Sequence, residues 1–385
     1  MSVARCDTYD RAEVADAVAR AVELAGGIAR FVPKGGRALL KPNLAGPLPR
    51  ERRALTDGEV VRAVANLTLA HGARVSVGDS PAVGPPSFAI RRGGILAALE
   101  GLDVEFPAFR EAVERPGRAF PRLALAADAV GAGAIVNIAK LKTHAYMGLT
   151  LAVKNLFGCV PGPRKAQWHL RAGTDRPAFA RMLADVAAAV PARLHLLDGV
   201  VGMEGNGPSS GTPRPFRVIL ASDDAAALDH VACRLVGFPP ERYAPLAACR
   251  ELGLGVTDAA RIELAGDPLE SFAVKGLKLA TGRSTAYGIG LPGWAGRLLR
   301  GATVPRPRVA PERCTGCGRC VELCPPKAMQ LASGSPPVID HARCIRCFCC
   351  QEFCPEGAVE VREGWLLRLL GARRGETRPL AKSRQ

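Results

Sequence analysis

Ala134-Ile135-Val136-Asn137-Ile138-Ala139-Lys140-Leu141-Lys142-Thr143-His144 joins a short apolar run to a cationic end. The run from Ala134 to Ile138 is too short for a stable helix and rich in β-branched residues, so it reads as a buried strand. Working outward, the same grammar repeats. An amphipathic helix over Arg11 to Leu24 leads to a strand ending Leu39-Leu40-Lys41. A helix from Asp57 to His71 leads to Arg74-Val-Ser-Val-Gly-Asp79. Further on, Leu194-His-Leu-Leu-Asp198 and Val218-Ile-Leu-Ala221 read as buried strands, and Ala225 to Val236 as a helix. Alternation of this kind predicts an α/β layered domain with a mostly parallel sheet over residues 1–270, where ligands sit outside the carboxyl ends of the strands.

Polar residues gather just after these strands. Lys41-Pro-Asn43 follows the first, Gly78-Asp-Ser80 the second, Lys140-Leu-Lys142-Thr-His144 the third, and Asp198 to Pro208, with Glu204 and Asn206, the fourth. The chain holds ten lysines against forty-two arginines, yet Lys140, Lys142, Lys154 and Lys165 crowd into one short stretch. Where a chain that otherwise writes Arg keeps Lys, a compact ammonium supplies a point-charge anion clamp or a shifted pKa; the plain alternative is a solvated face. His144 and His169 lie among these cations, which lower an imidazole pKa and hold it ready to exchange a proton. The expected site therefore has Lys142 and His144 as catalytic groups. Lys41, Asn43, Lys154, Asn155, Lys165, His169, Glu204 and Asn206 are expected to bind substrate. Gly205-Asn-Gly207-Pro-Ser-Ser-Gly211 has the wrong spacing for a dinucleotide fingerprint and leads into a strand, so it reads as an anion loop or a plain turn. Walker, nucleophile-elbow and His-Glu-x-x-His motifs are absent from the sequence.

Nine of the thirteen cysteines lie between Cys314 and Cys354. They form Cys314-x2-Cys317-x2-Cys320-x3-Cys324-Pro325 and, thirty residues on, Cys344-x2-Cys347-x2-Cys350-x3-Cys354-Pro355. The spacing resembles that of bacterial two-cluster ferredoxins, in which the fourth cysteine of each run ligates the other run's cluster. That resemblance implies a small α+β domain over residues 309–361. One 4Fe-4S cluster would sit on Cys314, Cys317, Cys320 and Cys354, and a second on Cys344, Cys347, Cys350 and Cys324. A pair of zinc knuckles is the competing reading, but zinc sites close with four ligands and often use His. Cys349 stands outside the pattern and is expected to be a small buried hydrophobe.

The stretch Ile138-Ala-Lys-Leu-Lys-Thr-His-Ala-Tyr-Met-Gly-Leu-Thr-Leu-Ala-Val-Lys-Asn-Leu-Phe-Gly158, together with Lys41-Pro-Asn43, the Asp198 to Pro208 loop and Ala226-Ala-Leu-Asp229, resembles the domain-of-unknown-function 362 family. Many members carry a C-terminal two-cluster ferredoxin. The resemblance implies an iron–sulfur protein and assigns no catalytic residue.

Hydrophobic residues at 48% and charged residues at 23% fit a folded globular chain rather than a disordered one. The net charge of +16 is uneven. Most of the excess lies in residues 271–308, a basic linker, and 362–385, a basic tail, both of which set Trp and Leu beside Arg. Such segments suit an anionic membrane surface or an acidic protein; packing against the two domains is the simpler use. Nucleic acid is not expected, since no binding module accompanies the charge. No uncharged run reaches the roughly 18 residues of a spanning helix, and the first residues lack a secretory pattern. The expectation is a cytoplasmic protein, peripheral at most on the inner face of a membrane. Its expected role is a reductase passing single electrons to an anionic substrate or cofactor. The alternative is an electron-carrier or cluster-delivery protein that docks a redox partner protein.

Overall fold

The computed structural model describes residues 1–81, 84–272, 274, 276–280, 305–331 and 335–362. Most of the basic linker and nearly all of the basic tail lie outside the described residues.

In chain order the strands of the large domain are β1 (Ser2–Arg5), β2 (Arg37–Pro42), β3 (Arg74–Val77), β4 (Val104–Glu105), β5 (Ala112–Arg115), β6 (Leu123–Ala126), β7 (Ala134–His144), β8 (Gly148–Thr150), β9 (Ala192–Glu204), β10 (Thr212–Ser222) and β11 (Ala265–Gly266). Nine of them share one sheet in the order β11-β1-β10-β9-β7-β2-β3-β4, with β8 paired to β7. The pairs β9–β7, β7–β2, β2–β3, β3–β4 and β1–β11 are parallel. β1–β10, β10–β9 and β7–β8 run antiparallel. The sheet is thus mostly parallel, as the alternation predicts, and β5 and β6 pair separately.

Side chains alternate across a strand, and here that alternation divides two cores. Ala134, Val136 and Ile138 join Ala38, Leu40, Leu194 and Leu196 under the helices Arg11–Leu24 and Gly58–Ala70. Leu39, Ile135, Ala139, Leu197 and Leu220 face the other way, under Arg176–Ala189 and Ala225–Leu235. Carboxylate caps start these helices. Asp10 accepts from the amides of Ala12 and Glu13, Asp57 from Glu59, and Asp224 from Ala227.

One expectation is corrected in part. Asn43 and Gly78 to Ser80 follow β2 and β3 as expected, but in the other two strands the polar residues lie within the strand. β7 runs on through Lys140 and Lys142 to His144, and β9 runs through Asp198 to Glu204. Both lysines are sealed by partners, so the backbone keeps its ladder pairing where a solvated polar end would have peeled away.

In the C-terminal region, β12 (Arg306–Val309) pairs with β15 (Val359–Arg362), and β13 (Met329–Gln330) with β14 (Val338–Ile339). Two one-turn helices, Arg319–Glu322 and Cys349–Glu352, repeat at the thirty-residue interval. Each is entered through a left-handed residue, Gly318 (φ 72°) in the first copy and Phe348 (φ 60°) in the second. Phe348 and Val361 belong to the same apolar cluster as the large domain's core. The side-chain amide of Gln351, fully buried, donates to Asn206 Oδ1 at 2.6 Å. The two regions are therefore packed together along the second cysteine run.

Candidate functional site

A cleft of about 620 Å³ opens between the carboxyl-end side of the sheet and the cluster-bearing region. Asn43, Lys142, His144, Thr150 and Lys154 form one wall, and Arg319, Cys324, Lys327 and Glu352 the other. The sequence-predicted residues divide into those that reach this cleft and those already engaged elsewhere.

Lys142, Lys154 and Lys165 all line it, each differently. Lys142 Nζ donates to Asn43 Oδ1 (2.9 Å) and to the carbonyl of Ala54 (2.7 Å). Burial, with Lys154 as the next cause, pushes its pKa down to about 7. Lys165 donates to the Ser80 carbonyl, and burial brings it down to about 8. Lys154 rides on the short helix Ala152–Asn155. Burial lowers its pKa, and no described residue hydrogen-bonds or ion-pairs with its ammonium. The Thr150 hydroxyl beside the same cleft is buried and also unpartnered.

Asn43 and Asn155 belong to a relay of buried amides. Lys142 donates to Asn43, Asn43 Nδ2 to Asn155 Oδ1 (2.8 Å), and Asn155 Nδ2 to Asn137 Oδ1 (2.7 Å). Asn137 Nδ2 ends the chain 3.0 Å from His195 Nδ1. Sequence reading missed Asn137 and His195. Their signal was a polar residue inside an otherwise apolar strand, at neighbouring positions of β7 and β9. Sequence reading also gave no role to Asp229, which enters there only through the family resemblance; this fully buried carboxylate accepts from the amides of Ala152 (2.6 Å) and Val153 (3.1 Å) and so holds the turn that carries Lys154.

His144 is placed differently from expectation. Its Nδ1 accepts from the amides of Tyr146 (3.0 Å) and Met147 (3.2 Å), and its Nε2 lies 2.7 Å from Glu352 Oε1. Two amide donors at Nδ1 put the ring proton on Nε2. Burial depresses the pKa to about 4, so the ring is neutral. Burial alone would raise the Glu352 pKa, but the His144 contact and the Lys154 ammonium hold it well below the usual carboxylate range. The imidazole thus spends its proton on an acidic residue from the cluster-bearing region. No sequence signal marked Glu352.

Three predicted ligands of the substrate are occupied elsewhere. Lys41, fully buried, pairs with Asp79 at 2.9 Å beneath the cleft floor. Glu204 pairs with Arg214 and accepts from the amide of Lys278 (3.2 Å). Asn206 receives Gln351, which makes the Gly205 to Gly211 segment an interdomain contact. For Lys41 and Asn206 the partner is distant in sequence, whereas Arg214 comes from the strand next to Glu204. His169 reaches the cleft wall, with its ring stacked on Phe179 at 4.4 Å.

The cysteines assemble crosswise. Cys314, Cys317, Cys320 and Cys354 line one small cavity, and Cys324, Cys344, Cys347 and Cys350 line another. The amides of Ala328 and Ala358, thirty residues apart, donate to Cys324 Sγ (3.3 Å) and Cys354 Sγ (3.1 Å). Four thiols around each cavity, with an amide directed at a sulfur in each copy, fit the cubane cluster expected from the spacing.

Residues 306–355 match the family described as the 4Fe-4S dicluster domain. Fold and site together define an iron–sulfur, electron-transfer protein built on a mixed α/β sheet. Residues 38–234 match the family described as Domain of unknown function (DUF362). The thylakoid-associated protein sll1697 of Synechocystis sp. is 39% identical over 262 residues, covering 67% of this chain and 81% of its own. The chain belongs to the DUF362 family. Among solved structures, the lactate racemase apoprotein of Thermoanaerobacterium thermosaccharolyticum is 14% identical with a TM-score of 0.39, the match covering 57% of this chain and 53% of that one. A Thermotoga maritima protein is 12% identical with a TM-score of 0.34, covering 50% of this chain and 51% of its own. The chain spans about half the length of each of these two structures. No helix among the described residues is long and apolar enough to cross a membrane.

Proposed function

We propose that this protein is a reductase that passes single electrons from two 4Fe-4S clusters to an anionic substrate or cofactor held in the interdomain cleft. Cys314, Cys317, Cys320 and Cys354 would hold one cluster, and Cys344, Cys347, Cys350 and Cys324 the other. When bound, the clusters supply one electron at a time at low potential. Cys317 is exposed and suits uptake from a redox partner protein, whereas Cys324 lines the cleft and suits delivery.

The observation that carries the reading is the Lys154 ammonium, which has no hydrogen-bond or ion-pair partner among the described residues, beside the orphaned Thr150 hydroxyl in a cleft whose far wall is the cluster-bearing region. A half-buried ammonium whose nearest counter-charge, Glu352, makes no ion pair with it is stabilised when an anion completes it. Lys154 then clamps a phosphate or carboxylate, with Lys165 adding positive charge from the same wall. Each electron gained by the substrate calls for a proton. Lys142, with a pKa near neutrality, donates one from Nζ and remains as a buried amine until solvent restores it. His144 orients Glu352 and so aligns the two regions.

Holo-protein purified without oxygen should release a stoichiometric anionic small molecule on denaturation, identifiable by mass spectrometry. Lys154→Gln should purify without it. An empty wild-type protein, or a ligand retained in the variant, would sink the reading.

A second reading is favoured by the relative's description as thylakoid-associated: a peripheral electron carrier on the inner face of a membrane, docking a partner without its own chemistry. Sedimentation with anionic phospholipid vesicles, repeated after removal of residues 363–385, tests it. Failure to sediment counts against membrane docking.

A further inference from the structure

The ninth cysteine of the C-terminal region, Cys349, is 1% exposed and packs with Cys347 and Phe353 in a small apolar cluster. One ring nitrogen of His169 and the sulfurs of Cys347 and Cys349 all lie within 4.8 Å of one another. His169 comes from the other domain, on the helix Gly162–Ala172. Its ring is held against Phe179 (4.4 Å, stacked) and edge-on to Phe157 (6.1 Å), and its buried Nδ1 has no hydrogen-bond partner. A neutral imidazole carries one N–H. The Cys349 side chain is hydrogen-bonded to Cys347.

Two side chains able to donate a hydrogen bond, one from each domain, therefore lie beside the Cys347 sulfur. The thirty-residue repeat supplies an internal contrast. Arg319 stands where the second copy has Cys349, and Cys317, the counterpart of Cys347, is exposed. Donors aimed at a cluster sulfur stabilise the extra negative charge of the reduced state and so raise its potential.

We propose that His169 and Cys349 are outer hydrogen-bond donors to the Cys347 sulfur, and that they set the cleft-side cluster at a higher potential than the solvent-side cluster. One electron would then pass from the cluster held by Cys314, Cys317, Cys320 and Cys354 on the solvent side, which would be oxidised, to the one held by Cys344, Cys347, Cys350 and Cys324 beside the cleft, which would be reduced, with no proton transferred. This rests on the proposed assignment of Cys347 as a ligand. Both residues act through that sulfur and are positioning residues.

The test is redox titration of full-length holo-protein, followed by electron paramagnetic resonance. Wild type should show two waves. His169→Phe, which keeps the aromatic packing, and Cys349→Ala should each move the higher wave to more negative potential and leave the lower one in place. Cys349→Ser, which retains a donor, should stay near wild type. Unmoved waves in both His169→Phe and Cys349→Ala, or equal movement of both waves, would overturn the proposal, as would stoichiometric zinc at these three residues. Iron analysis separates the two layers of inference. About eight iron atoms per chain, two cubanes, supports the ligand assignment; a single cluster or none sinks that assignment before any potential is measured.

Discussion

Gly158 shows how little room the cleft floor has. A Cβ there would collide with the Asp79 carboxylate and the Lys41 ammonium, the fully enclosed ion pair on which the floor rests. Overpacking of this kind costs about 1–3 kcal/mol, so Gly158→Ala should lose about that much in anaerobic urea denaturation; an unchanged midpoint would show that the pair can move aside. Lys142 makes a pH-dependent contribution. Burial holds its pKa at about 7 against an ordinary 10.5. Below about 7 the group is protonated in both the folded and unfolded chain, and the burial penalty is present in full. Between about 7 and 10.5 the unfolded chain holds more protons, so this residue makes stability rise with pH. Lys142→Met should flatten that rise between pH 7 and 9 in denaturation midpoints. An identical slope in both proteins would mean that the folded ammonium stays charged.

Elements matter here through what they hold still. The short helix Ala152–Asn155 cannot stabilise itself at that length. It is held at its start by Asp229, contributed by the helix Ala225–Leu235. Asp229→Ala strips the partner from two buried amides, at about 1–3 kcal/mol for such losses, and should also weaken retention of the cleft ligand by displacing Lys154. A destabilised variant that keeps full ligand occupancy would confine Asp229 to a purely structural part. Element positions were legible in the sequence with small errors. The helix Arg11–Leu24 coincides with its expected span, and Gly58–Ala70 lies just inside its expected limits. The strand ends were not legible. A run such as Lys140-Leu-Lys142-Thr-His144 looks like a solvated loop unless one knows that Asp198, Tyr9, Asn43 and Glu352 neutralise or bind its side chains.

For the whole molecule, the decisive contacts join the two regions. Gln351 enters the segment beside Asn206, Glu352 meets His144, and Phe348 joins the large domain's core. Gln351→Ala leaves the half-buried Asn206 acceptors without their partner and should separate the unfolding of the two regions. Calorimetry would then show two transitions where wild type shows one; a single transition at the wild-type temperature would mean that apolar packing alone holds them. Spacing along the chain was enough to predict the two cysteine runs and the alternation of helix and strand, because both depend on residues a few positions apart and on a local period, whereas the exchange of Cys324 and Cys354 between the runs was implied by the resemblance to two-cluster ferredoxins. Only the tertiary structure decided which polar groups remain available for chemistry. Lys41, Glu204 and Asn206 are spent on Asp79, Arg214 and Gln351, while Lys154 is left facing the cleft. The physical reason is that a polar group takes whichever partner the fold brings within reach, and that partner can sit on the next strand, as Arg214 does, or far away in sequence, as Asp79 and Gln351 do.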